Sequence, residues 1–122
     1  MVKKRTQSEV YQEFALRILR TVPMSESFLF FTDVGQYTGE TASSLESLLE
    51  KLKKTSIKAI EFHFSREDFA KWIKGTLGDT HLADRISKID KSTHSEELRK
   101  TLQAIIERRV NQLKQLASSI CY

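Results

Sequence analysis

Apolar side chains recur at helical spacing over most of this chain. Between residues 6 and 21, Val10, Tyr11, Phe14, Ala15, Ile18 and Leu19 make one stripe. Thr6 or Ser8 can cap its start, and Pro23 lies just beyond its end, where a helix cannot continue. A second helix is predicted over 44–54. Leu45, Leu48, Leu49 and Leu52 form its face, Ser43 with Glu46 reads as a capping box, and Lys51, Lys53 and Lys54 complement the dipole in its last turn. The longest pattern runs from a Thr93–Glu96 capping box to about residue 119. Its stripe is Leu98, Leu102, Ile105, Ile106, Val110, Leu113, Leu116, Ala117 and Ile120. About 26 residues at ~1.5 Å each span roughly 39 Å.

Residues 27–32 break the helical rhythm. Ser27-Phe28-Leu29-Phe30-Phe31-Thr32 is short, aromatic and apolar, and it is the best strand candidate. A lone strand leaves its backbone groups unpaired, so it needs a neighbour. The alternating segment Ile60–Phe64 and the same strand of a second subunit are the two partners considered. Residues 56–64 fit either period, and helix is preferred, with Ser56 as its cap. Ser65 with Asp68 then reads as another capping box, opening a helix through Phe69, Trp72 and Ile73 that ends near Gly75–Gly78. A short helix follows over 80–89, with Leu82, Ile86 and Ile89 inward. Trp72, Phe69 and Phe62 are expected in the core. The predicted fold is mainly α: one small helical domain over 1–122, with at most a short β-strand or hairpin and a long C-terminal helix.

Composition narrows the classes. The chain has 122 residues, 39% hydrophobic and 30% charged, with 4 Gly and 1 Pro, too few turn residues for an all-β sandwich. No apolar run approaches the ~18 residues that span a bilayer, and no signal core follows the basic start. Cytoplasmic localisation without membrane attachment is the expectation. The one cysteine, Cys121, agrees with a reducing compartment, and many Lys and Glu beside a single Asn hint at a thermophile. A net charge of +4 tolerates weak, salt-sensitive contact with nucleic acid. Lys3, Lys4, Arg5, Arg108 and Arg109 are the candidate contacts, with Arg17, Arg20, Arg99, Lys100 and Lys114 in support.

Candidate chemistry concentrates in Glu61–Ile73, where a histidine, three carboxylates, an arginine and four aromatics crowd together. On one helix, His63 and Glu67 would share a face, and a His–carboxylate pair can transfer protons. The same pair can equally be a hydrogen-bonded corner joining two helices, and this reading is preferred. The segment Asp33–Glu40 contains two glycines and is expected to lead from the strand to a helix N-terminus, but no lysine follows the second glycine as in a phosphate loop. A ligand site here would use His63, Asp68, Trp72, Asp33, Thr38 and Glu40. His63, His81, His94 and Cys121 lack metal-ligand spacing, so no metal or cofactor is implied.

The segments Phe30–Gly35, Gly39–Leu45, and Phe62–Phe64 through Asp68-Phe69 and Trp72-Ile73 to Leu77–Asp79, Leu82-Ala83 and Ile86 together resemble an uncharacterised, mainly archaeal, prokaryotic domain-of-unknown-function family. The shorter pattern His63, Asp68, Phe69, Trp72 is similar to a motif in bacterial multidomain regulatory proteins. The resemblance covers about 27–90 and implies an accessory or regulatory domain rather than a reaction. The expected function is therefore a non-enzymatic interaction or regulatory module. The alternatives are a nucleic-acid or ribosome-associated protein, and a small-ligand binder or enzyme. Leu102, Ile106, Leu113, Leu116 and Ile120 approximate a helix–helix seam, which suggests a homodimer or a docked partner helix. Arg109 falls at a seam position. The competing expectation is that this helix wraps its own domain, packing on 6–21 and 44–54.

Overall fold

A computed structural model describes residues 6–118. They form α1 (Gln7–Leu19), a hairpin of β1 (Phe28–Phe31) and β2 (Tyr37–Ala42), α2 (Leu45–Lys54), α3 (Ile57–Ser65), α4 (Asp68–Trp72), α5 (Thr80–Ser87) and α6 (Ser95–Ser118). A π-helical turn, Ile73–Leu77, joins α4 to α5, and Gly78 ends it at φ 85°, a conformation that favours glycine. The mainly helical fold with one hairpin and a long last helix agrees with the sequence pattern.

The last helix is the spine. Leu98, Leu102, Ile106, Val110 and Leu113 are buried, and α1, α2, α3 and α5 all pack against it. Its 24 residues span about 36 Å. The apolar stripe is thus covered largely by the chain's own helices. Ile120 lies outside the described residues. The opposite holds for α1. Ala15 and Ile18 are buried, but Val10, Tyr11 and Phe14 stay 46%, 47% and 44% exposed.

Local capping explains where the helices begin. Thr6 and Glu9 form a reciprocal capping box on α1. The cap of α2 is Ser44, whose hydroxyl accepts from the Ser47 N–H at 3.1 Å, one residue later than the expected Ser43. Ser56 caps α3, so this segment is helix, as preferred, over Ile57–Ser65. Asp79 caps α5 by accepting from the Leu82 N–H at 3.1 Å. The Thr93–Glu96 box is replaced: the chain enters α6 through Ser95 at φ 55°, its N–H donating to Glu61, while Glu96 pairs with Arg99.

Neither expected strand partner is correct. β1 pairs antiparallel with β2, Phe28 opposite Ala42, Leu29 opposite Thr41 and Phe31 opposite Tyr37. The register breaks opposite Phe30, where the Thr38 hydroxyl donates to the Phe30 carbonyl at 2.9 Å and Gly39 takes φ 88°. Asp33–Gln36 is therefore a hairpin turn followed by a strand, not a loop feeding a helix. The hairpin lies on α2 through β2 and on α3 through β1, which brings β1 beside the α3–α4 corner.

An aromatic cleft beside His63

The α3–α4 corner is sharp because α3 stops at Ser65 and Glu67 adopts φ 61°, the left-handed region. The expected Ser65–Asp68 capping box does not form. The Ser65 hydroxyl donates back to the Phe62 carbonyl, and Asp68 turns toward His63. Glu67, expected on the face of His63, instead faces Lys91 at 3.8 Å.

His63 is 3% exposed and both its nitrogens are engaged. Nδ1 meets Asp68 Oδ2 at 2.8 Å, and Nε2 accepts the Phe31 backbone N–H at 2.8 Å. An Nε2 that accepts carries no proton, so the neutral ring donates from Nδ1 to Asp68. Burial pushes the imidazole below its ordinary pKa. The hydrogen bond and charge of Asp68 oppose that shift, and Arg66 reinforces it. Arg66 Nε also reaches Asp68 Oδ2, at 3.3 Å, while its guanidinium stacks over Phe62. The pair joins α3 to α4 at the corner, with Asp68 rather than Glu67 as the carboxylate, and Nε2 ties that corner to β1. A protonated His63 would set two N–H groups against each other and break the bond to Phe31.

Above this tie lies a cleft of about 420 Å³. Phe28, Phe31, Phe62 and Trp72 form its aromatic walls, and Leu29 and Val34 of the hairpin form its apolar rim. Phe28 stacks on Phe69 at 5.1 Å and meets Trp72 edge-on at 5.8 Å. Phe69 is fully buried, as expected. Phe62 and Trp72 are only half-buried, because their outer faces belong to the cleft rather than to the core. Trp72 Nε1 donates to the Glu26 carbonyl at 2.8 Å, which anchors the wall.

Of the six proposed ligand residues, the structure brings three together: His63, Asp68 and Trp72 all line the cleft. Asp33, Thr38 and Glu40 do not. Asp33 caps its own turn through the Val34 N–H, Thr38 closes the bulge, and Glu40 lies 3.9 Å from Lys51. Sequence reasoning missed Arg66 and the hairpin residues Leu29, Phe31 and Val34. The unbroken apolar run over 28–31 is a usable signal for Leu29 and Phe31, since a strand turns alternate side chains to opposite faces and cannot bury all four.

The proposed nucleic-acid contacts scatter. Lys3, Lys4 and Arg5 lie outside the described residues. Arg109 is 6% exposed and held bidentate by the buried Asp79, Nε to Oδ2 at 2.7 Å and Nη2 to Oδ1 at 3.0 Å, so it cannot reach a phosphate backbone. Arg99 donates to the Leu52 carbonyl at the end of α2, Arg20 to the Thr76 carbonyl, and Lys114 pairs with Glu46 at 2.7 Å. Arg108 remains exposed on α6. Among the described residues, no three His, Cys, Asp or Glu converge as metal ligands, and no helix is long and apolar enough to cross a membrane.

A small helical domain with a hairpin laid across its α3–α4 corner is the class these features define. The chain belongs to a family of unknown function, DUF5752, whose model matches residues 25–120. The match begins after α1 and takes in the hairpin, the cleft and all of α2–α6, so the last helix, which lies outside the resemblance over about 27–90, belongs to the family pattern. No curated protein and no solved structure matches the chain.

Proposed function

We propose that this domain is a non-enzymatic interaction module whose contact face is the aromatic cleft, and that it receives an apolar segment of another protein there. One observation carries the reading: the His63 ring and the Trp72 N–H are already engaged internally, while the apolar rim is open. His63 has no free lone pair, Asp68 Oδ2 serves two donors, and the Trp72 N–H is spent on Glu26. Leu29 and Val34 stand 39% and 76% exposed beside the aromatic walls. Such a site gives affinity by apolar burial and leaves little for proton transfer. A domain with this geometry suits a regulatory role within a larger assembly.

Selection of peptides from a random displayed library against the full chain tests this. Selected peptides should share one or two large apolar anchors. They should lose about tenfold or more in affinity against Leu29→Asp and Val34→Asp, since burying one such side chain contributes about 1.5–3 kcal/mol. Both positions are exposed, so the variants keep the fold. Peptides that are uniformly polar, or that bind parent and variants alike, would sink the reading.

A further inference from the structure

A second surface, sharing no residue with the cleft, lies between α5 and α6. Arg85 on α5 and Arg108 on α6 line the same groove, at the junction of two adjoining hollows of about 350 and 450 Å³. Among the described residues neither guanidinium has a carboxylate partner. The acids nearby are committed elsewhere, Asp84 to Lys88 at 2.9 Å and Asp79 to Arg109. No carboxylate lines either hollow. Two cations that line one groove without a counter-ion favour a bound anion there.

The groove also carries neutral donors. Gln112 accepts from Arg109 Nη1 through its Oε1 at 2.7 Å, which leaves its NH₂ group as what it can offer the groove. Because Arg109 is itself clamped by the buried Asp79, that amide is set by a rigid chain of bonds. Asn111, Gln115 and His81 complete the lining of that hollow, which holds no Phe, Tyr or Trp ring for a nucleobase to stack on.

We propose that the α5–α6 groove binds a phosphate monoester dianion, gripped by Arg85 and Arg108 and hydrogen-bonded by Gln112. Guanidinium groups match the oxygens of a phosphoryl group with paired N–H donors, and two of them balance its double charge. The ligand is a compact phosphoryl group, free or carried on a small molecule or side chain, rather than a nucleic-acid backbone.

Titration of the full-length protein with inorganic phosphate, followed by backbone amide NMR, tests the site. Phosphate should shift signals of residues 81–88 and 108–115 saturably, while chloride at equal ionic strength should not. Each arginine replaced by glutamine should weaken binding about tenfold, the equivalent of one charge-assisted hydrogen bond. Gln112→Ala, which removes a donor but no charge, should weaken it a few-fold. The arginines are exposed, and an unchanged melting temperature confirms that Arg85→Gln/Arg108→Gln is folded. A phosphoserine peptide and glucose 6-phosphate, run beside inorganic phosphate, distinguish the carrier of the phosphoryl group, and saturation by either at these residues supports the site. Three results overturn it: no saturable shift, equal shifts in the double variant, or tighter binding of an RNA oligomer lacking terminal phosphates.

Discussion

His63–Asp68 ties the start of α4 to the helix before it and Asp79–Arg109 ties the start of α5 to the distant α6, and the two pairs differ in how they handle charge. Asp68 sits at the half-open edge of the cleft, 22% exposed, and shares its oxygen between a neutral imidazole and a solvent-facing guanidinium. Asp79 is wholly buried, and it meets a fully charged arginine through both oxygens while also capping α5. Where water can approach, one neutral hydrogen-bonded ring suffices. Where it cannot, a carboxylate needs a bidentate cation, because an unpaired buried charge costs several kcal/mol.

The largest effect expected from breaking this comparison is at the buried pair. Arg109→Ala should cost about 3–5 kcal/mol in denaturant unfolding, since it strands Asp79 in the core. Asp79→Leu/Arg109→Leu should recover most of that loss but not the α5 cap, worth about 1 kcal/mol. An Arg109→Ala variant that unfolds like the parent would remove the pair from the structural account.

Next comes the wall of the cleft. Trp72→Ala should cost roughly 2 kcal/mol, below the ~3–5 kcal/mol of Phe69→Ala, because one face of the indole is open while Phe69 is sealed. Equal melting temperatures for the two variants would show that the cleft is closed core.

A smaller effect separates the pairs by pH. The folded-state pKa of His63 is lowered, so the unfolded chain binds more protons in the interval just below the ordinary histidine value of about 6.5. The stability it contributes is present above that value and is lost as pH falls below it toward the folded pKa. The melting temperature should therefore drop more steeply from pH 7 to pH 5 in the parent than in His63→Gln. Parallel profiles would contradict the neutral tie. Smallest of all, Asp68→Asn keeps an acceptor for Nδ1 and should cost about 1 kcal/mol or less, whereas Asp79→Asn should cost several times more. Thermal melts of the two asparagine variants, side by side, check that ratio.

The same contrast governs what was legible from residues alone. His63 and Asp68 are five apart, and their neighbourhood of aromatics stood out. Asp79 and Arg109 are thirty apart, so local patterning showed only a polar residue after Gly78 and a charge interrupting an apolar stripe. Arg109 was consequently assigned to a seam and to nucleic acid. The helices with strong stripes, α2 and α6, were readable to within a residue or two, because 3.6-residue periodicity survives small capping errors such as Ser43 for Ser44. β2 was not readable. Its Tyr-Thr-Gly-Glu-Thr-Ala carries no apolar alternation, being largely exposed and bulged at Gly39, and its pairing is specified by the turn at Gly35 and by the Thr38 hydroxyl. The α1 stripe misled for the converse reason: periodicity shows that a helix has an apolar face, not how much of it finds a neighbour.

The protein contains one tryptophan, and it stands in the cleft wall with its indole N–H fastened to the Glu26 carbonyl. Its fluorescence is consequently a built-in reporter of a single place. A guest entering the cleft would strip water from the open face of the ring and move its emission toward the blue. Lifting of the hairpin would take Phe28 off the ring and expose it, shifting emission to the red. Each event changes one chromophore in an opposite sense, so occupancy and opening can be told apart in unlabelled protein at micromolar concentration. No substitution need disturb the site that is being watched.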